Sequence, residues 1–323
     1  MSIELFQESF KSEFTKYAYN YYLKKYGFNK LSITDPRLVE TEIITFILEM
    51  KKKGKSSTAI GNYVKAVISY YKINDVVLNT KKISRFMPER RRIKKDRAYR
   101  HSEISKMLEI ADERMRAVIL LLSSSGIRIG AIQSIRLRNL KDNRLTVYEG
   151  DGEEYFSFIT PECKKAIDAY LDMRLRYGEK LTDNSYLIRE QFDIRDRFQI
   201  KKSRQIGRDA IRWMLIDVTK RCGVRSTEVP IAHGFRKFFT TQLIQSKINP
   251  EIREMLLGHK IGLASAYYRP TEDEMYEEYE KAIDSLTINE ENRLRKKVET
   301  LQIEKSLIED MNARLIELER KRE

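Results

Sequence analysis

Apolar residues recur along this chain mostly at three- and four-residue intervals, the spacing that gathers side chains on one face of an α-helix. Near the start Phe6, Phe10, Phe14, Tyr17 and Tyr21 follow it, and their stripe predicts a buried helix face. Asp35-Pro36 reads as a helix start, leading into residues 39–50 with Ile43, Ile44, Ile47 and Leu48 on the apolar side. After a glycine-containing turn, Ile60, Tyr63, Val64, Val67 and Ile68 form a further stripe, with Ser56 or Ser57 as its cap. A short helix over 82–86 ends at Pro88. Ser102 opens the next helix, and 115–122 predicts a strongly buried one broken at Ser123-Ser124-Ser125-Gly126. The period then changes. Residues 145–148 and 155–160 are strand-like, with Asp151-Gly152 between them as a type I′ hairpin signal. Helices resume at Pro161, over 209–222 with Trp213 expected in the core, after Pro230, and over 251–257 up to Gly258. Residues 180–210 look polar and irregular, and Thr271 with Glu274 matches a capping box before an acidic helix. The predicted fold class is mainly α with a small β hairpin or sheet.

Composition adds a partner. The chain of 323 residues has room for two domains and an appendage. It is 41% hydrophobic and 34% charged, with a net charge of +14. Residues 51–100 hold 16 Lys/Arg against Asp75, Glu89 and Asp96, so +13 of the +14 lies there. Lys51, Lys52, Lys53 and Lys55 precede the 60–68 stripe and Lys65 lies on its polar side, which indicates a folded helical module with a cationic face. Such a face suits duplex DNA, bound with a steep salt dependence. Residues 89–100, with Arg90, Arg91, Arg92, Lys94 and Lys95, read as an extended basic linker able to lie along a phosphate backbone. The expected organisation is a helical DNA-binding domain over 1–92, a linker over 93–100, a second domain over 101–285 and a C-terminal helix over 286–323. In that helix Leu294, Leu301, Ile308 and Leu315 recur every seven residues, with Val298, Lys305 and Asn312 between them. The pattern fits a short coiled coil between chains or one amphipathic helix lying on its own chain. Two cysteines, Cys163 and Cys222, argue against a disulfide framework and a cysteine-rich zinc site, and no cofactor or metal is expected. With no apolar run of about 18 residues, the expectation is an intracellular protein without a membrane partner.

The chemistry concentrates late in the chain. Of three histidines, two lie within residues 233–268. His233 and Arg236, three apart, share a helix face; His259 follows Gly258, and Tyr267-Tyr268 comes soon after. A planar cation, two imidazoles and a phenol are what transfer of a phosphodiester onto a protein oxygen requires without a metal. Arg128 is the only charge between Arg116 and Arg136. It is either tied to a carboxylate or offers its guanidinium fork to a phosphate.

Gly126-Ile127-Arg128-Ile129, His233-x-x-Arg236, Leu257-Gly258-His259 and Tyr268 nine residues on resemble the tyrosine recombinase/integrase family. The chain is most similar to its archaeal virus and plasmid members, through residues 125–131 and 267–272. The resemblance covers residues 97–285. It implies a helical core-binding domain ahead of an α+β catalytic domain, and a site-specific recombinase that cleaves and rejoins double-stranded DNA through a 3′-phosphotyrosyl intermediate. Arg128 and Arg236 would clamp the scissile phosphate, His233 would act as acid and base, His259 would donate a hydrogen bond, and Tyr268 would attack. A homo-tetramer on two attachment-site duplexes follows from the same resemblance. Tyr268 is preferred by its spacing; Tyr276 and Tyr279 lie in the acidic helix, where carboxylates disfavour a phenolate. Two departures stand out. Residues 148–155 lack the lysine that the family carries there as general acid, Lys141 being the nearest preceding candidate, and Ala131 stands where an acidic residue is common. A type IB topoisomerase would use nearly the same residues, and the missing lysine would also fit a DNA-binding architectural protein with a weakened site.

Overall fold

The computed structural model describes residues 3–89, 96–262 and 268–294, together with 298, 301, 302, 305, 306, 308, 309, 311 and 312. The chain divides into two compact units, Met1–Lys94 and Lys95–Glu323. The first unit is all helix: α1 (Ile3–Glu8), α2 (Glu13–Tyr26), α3 (Pro36–Lys52), α4 (Ser57–Ile73) and α5 (Thr80–Ser84). Caps fix the starts. Asp35 accepts from the amides of Arg37 and Leu38, at 2.8 and 3.1 Å, ahead of Pro36, and Ser56 accepts from Ala59 at 3.2 Å. Ser57 instead donates to the carbonyl of Pro88.

Phe6, Leu23, Ile43, Phe46, Ile47, Ile60, Val64, Val67, Tyr70 and Tyr71 make one core here. The N-terminal stripe is corrected. A break between Glu8 and Glu13 resets the helical phase, so α2 buries Leu23 and Tyr26, while Tyr17 is 74% exposed and Tyr21 also faces solvent. The side chain of Phe14 lies outside the described residues. On α3 the buried side runs through Val39, Ile43, Phe46 and Ile47, and Leu48 is exposed.

The second unit contains α6 (His101–Ile110), α7 (Glu113–Ser125), β1 (Leu140–Lys141), β2 (Arg144–Val147), β3 (Tyr155–Phe158), α8 (Pro161–Arg176), α9 (Arg197–Lys201), α10 (Arg208–Arg221), α11 (His233–Gln245), α12 (Pro250–Leu256), α13 (Glu272–Glu280) and α14 (Ile283–Leu286). The fold is thus mainly helical around one small antiparallel sheet of order β1-β2-β3, with Arg144 opposite Phe158 and Val147 opposite Tyr155. Helix α7 is almost wholly buried and packs against α8 and α11. Its serines do not break it. Ser124 and Ser125 return their hydroxyls to the carbonyls of Leu120 and Leu121, which satisfies them inside the core, and the helix ends only at Gly126.

Three further expectations change. The β2–β3 connection is a seven-residue loop in which Tyr148 and Gly150 carry the positive φ angles, so Asp151-Gly152 is no two-residue I′ turn. Trp213 is 63% exposed: Ile211, Leu215, Val218 and Thr219 form the buried side of α10, and at about 100° per residue position 213 points away from it. Residues 96–100 are not free linker. The Arg97 amide donates to Glu228 and the buried Tyr99 hydroxyl to the carbonyl of Ile231, which fastens them to the second unit. The irregular 180–210 region is anchored by a buried triad in which Glu179 receives Arg174 and Arg189 at 2.7 and 2.8 Å. At the other end, Leu286 and Ile288 are buried and Glu162 accepts from the amides of Ile288 and Asn289. Among the described residues no helix is long and apolar enough to cross a membrane.

Candidate active site

The site is built around Arg236, on the buried side of α11 and only 6% exposed. Its Nη1 donates to the carbonyl of Gly126 at 2.8 Å, and its Nη2 to the carbonyl of Leu257 at 2.5 Å and to His259 Nε2 at 2.8 Å. One guanidinium therefore ties together the ends of α7, α11 and α12. Burial lowers its pKa from the ordinary guanidinium value, yet arginine remains a cation in proteins.

Two glycines make the convergence possible. Gly126, with φ +62°, ends α7 in the left-handed region, and a Cβ there would lie 2.2 Å from the Phe239 ring. Gly258, with φ +63°, ends α12. Its amide donates to Met255 at 2.8 Å and the next amide, of His259, to Glu254 at 2.9 Å. This is the Schellman arrangement, and it folds the chain back so that His259 returns over α12. There His259 Nδ1 lies 2.7 Å from Glu254 Oε2. Glu254 Oε1 in turn is held by Arg253 Nε at 3.2 Å.

His233 is the first residue of α11 and keeps an exposed edge. Desolvation of the rest of the ring, then the cations of Arg236 and Lys237, hold its pKa below the ordinary imidazole value, with Asp96 opposing and Arg128 adding to the depression. A neutral imidazole is therefore favoured near pH ~7. Lys237 Nζ is bonded to Asp96 Oδ1 at 2.7 Å. Arg128 follows Gly126 and precedes a 3-10 turn, Ile129–Ala131, with Ala131 and Ile132 packed in the core. It is exposed, and among the described residues no carboxylate pairs with it. Its charge acts on His233, Arg236, Tyr148 and Tyr155. Tyr155 lines the floor: its buried hydroxyl faces the Arg236 guanidinium, and its ring lies where a Cβ on Gly258 would fall, 2.5 Å away.

Arg128, His233, Arg236 and His259 thus share one electrostatic neighbourhood. Tyr268 stands outside it. The phenol is exposed, and after partial desolvation the charges acting on it are those of Glu274, Glu278 and Glu251, which raise its pKa. Tyr267 lies outside the described residues. Tyr279 is wholly buried and donates to the carbonyl of Ser124 at 2.9 Å, and Tyr276 pairs with Asn143. Lys141 is exposed on β1 opposite Arg144. The hairpin loop holds Glu149, Asp151, Glu153 and Glu154, with Glu149 engaged by Arg138 at 2.8 Å. Among the described residues no group of three or more His, Cys, Asp or Glu stands close enough to hold a metal ion.

In the first unit Lys51, Lys52, Lys53, Lys55 and Lys65 are all exposed. Lys51 to Lys53 finish α3, where the helix dipole also favours cations. Arg90, Arg91, Arg92, Lys94 and Lys95 lie outside the described residues. Sequence reasoning missed Glu254, Tyr155 and the Lys237–Asp96 pair. Only the first had a local signal, a carboxylate five residues before a histidine across a glycine helix stop.

Comparison with known proteins agrees with the fold. The sequence profile of the phage integrase family matches residues 97–274. Tyrosine recombinase XerA of Pyrococcus horikoshii is 25% identical over 285 residues, which span 84% of this chain and 88% of that protein. Tyrosine recombinase XerC of Thermodesulfovibrio yellowstonii is 27% identical over 242 residues, 70% of this chain and 75% of that protein. The solved Tn1549 transposon integrase in complex with transposon right end DNA superposes with a TM-score of 0.62 at 16% identity, over 86% of this chain and 98% of that one. A lambda integrase dimer bound to a COC' core site gives 0.60 at 14% identity, over 83% and 92%.

Proposed function

The chain belongs to the phage integrase family, and on that premise we propose that it is a site-specific tyrosine recombinase acting on duplex DNA. The observation that carries the reading is the Arg236 fork, buried at the meeting point of three helix ends with His259 beside it and Arg128 and His233 in its field. Such a pre-arranged set of donors suits the charge that grows on the non-bridging oxygens of a phosphodiester under attack. In the reaction Tyr268 Oη bonds to phosphorus as the bond to the 5′ oxygen breaks; the phenol proton passes to the neutral His233, and the leaving 5′ oxygen takes a proton from solvent to depart as a hydroxyl. The phosphotyrosyl ester conserves the energy of the broken bond for rejoining. For the attack Tyr268 must exchange its surroundings of Glu251, Glu274 and Glu278 for the Arg128–Arg236 pair. The exposed lysines of the first unit, with the basic stretch 90–95, supply phosphate contacts along the duplex. Assembly as a tetramer on two duplexes, an origin in an archaeal virus or plasmid, and a location on intracellular DNA complete the proposal.

The test is covalent trapping. A nicked duplex that loses its 5′-hydroxyl fragment on cleavage should leave the chain joined to DNA, and Tyr268→Phe should abolish the adduct. Joining of two separate duplexes selects recombination over the relaxation of a type IB topoisomerase. Absence of any adduct on a cognate attachment site would sink the enzymatic reading.

A further inference from the structure

Both ring nitrogens of His259 are engaged, and their partners determine where its hydrogen sits. Nδ1 faces Glu254 Oε2 at 2.7 Å, and Nε2 faces Arg236 Nη2 at 2.8 Å. A guanidinium only donates and an ionised carboxylate only accepts. The free protein therefore holds a neutral His259 with its hydrogen on Nδ1 and its lone pair on Nε2. That ring cannot donate through Nε2. The other neutral tautomer could, but it would set the Nδ1 lone pair against a carboxylate. Only a ring protonated on both nitrogens donates to Glu254 and to an anion together.

We propose that Glu254 is a positioning residue that turns His259 into an imidazolium donor when a phosphate occupies the site. The inference rests on the reading that this site receives a phosphodiester. The incoming anion takes over the Nη2 donor of Arg236, Nε2 is released, and it binds a proton from solvent. The cation then donates Nε2–H to a non-bridging oxygen and Nδ1–H to Glu254, so the new charge lies between two anions.

The construction of the pair supports a positioning role. Gly258 and the Schellman bonds set the ring over α12, and Arg253 holds the far oxygen of Glu254, so the carboxylate cannot swing away without losing both partners. The hydrogen bond from His259, with Arg253, keeps the Glu254 carboxyl below its ordinary pKa, so it stays ionised. The charged groups set against the ring are Glu254 and Arg253 on α12 and Arg236 on α11. Carboxylates that orient metal-ligating histidines contribute about 10–100-fold to the affinity or activity they support, and the lower end of that range sets the expectation for Glu254.

Nitrogen-15 NMR of the full chain reads the ring directly, with His259→Gln assigning the signals. The free protein should show a neutral His259 with hydrogen on Nδ1, and saturating inorganic phosphate should convert it to the doubly protonated form. Glu254→Gln should remove that conversion and weaken phosphate binding about tenfold, while its melting temperature stays close to the parent's; Glu254→Asp should restore part of the effect. A neutral His259 beside a bound phosphate, or unchanged phosphate affinity in Glu254→Gln, overturns the role of Glu254 alone. Phosphate that perturbs neither Arg236 nor His259 removes the anion seat, and with it both this inference and the functional reading.

Discussion

Replacing Gly258 by alanine tests how the site is held together. The substitution carries two costs. An L-residue at φ +63° enters the left-handed region, at about 1–2 kcal/mol. The new Cβ would also sit 2.5 Å from the Tyr155 ring, against an ordinary carbon–carbon contact of about 3.5–4.0 Å. Tyr155 is packed beneath it and cannot simply turn aside, so an overpacking cost of about 1–3 kcal/mol is added. The expected loss is about 2–5 kcal/mol in the second unit. Cys163, wholly buried in that unit, provides the assay. In a Cys222→Ser background, a short pulse of thiol reagent at rising urea labels Cys163 only when the core opens, and the midpoint should fall in Gly258→Ala. Tyr155→Ala in the same chain should relieve the clash but not the backbone strain, giving a coupling of about 1–3 kcal/mol in the double-mutant cycle. A stability within about 0.5 kcal/mol of the parent, or no coupling to Tyr155, would rule out both costs.

Arg236→Lys replaces a fork that serves two carbonyls and an imidazole with a single ammonium, and adduct formation on the nicked duplex should fall about 10²–10³-fold; an unchanged rate removes Arg236 from the clamp. Burial alone would raise the Glu179 carboxyl, but hydrogen bonds from Arg174 and Arg189 outweigh it and hold its pKa down. Its stabilisation should thus be complete above the ordinary carboxyl pKa of about 4.3 and be lost as pH falls through the depressed value. Glu179→Gln should cost about 3–5 kcal/mol near neutrality and flatten that acid limb in urea titrations at several pH values. Lys237 lowers the His233 pKa and also neutralises Asp96, which raises it. Lys237→Met should therefore move the acid limb of the adduct-formation profile to higher pH, and an unmoved limb would exclude His233 as the titrating base.

Local rules made much of this chain legible. Periodicity located the helices because burial of one face is their main stabilisation, and the Asp35, Ser56 and Thr271 caps lie where short-range hydrogen bonding requires them. Local rules failed where one segment's fate depends on a distant one. Trp213 is exposed because the rest of the second unit packs on the Ile211–Leu215–Val218 side of its helix, and the α7 serines stay helical because α8 and α11 enclose that helix and keep water from its backbone. The order of the motifs named Arg128, His233, Arg236, His259 and Tyr268, since residue type decides which groups can hold and attack a phosphate. Their arrangement belongs to the tertiary structure. Arg236 reaches Gly126 across 110 residues, His259 is turned onto Glu254 by a left-handed glycine, and Tyr268 lies among carboxylates. Which functional groups are available follows from residue order alone, because chemistry resides in side chains. Which of them share one field, and which partners face the two nitrogens of His259, emerges on folding, because those depend on distances and burial that no spacing along the chain encodes.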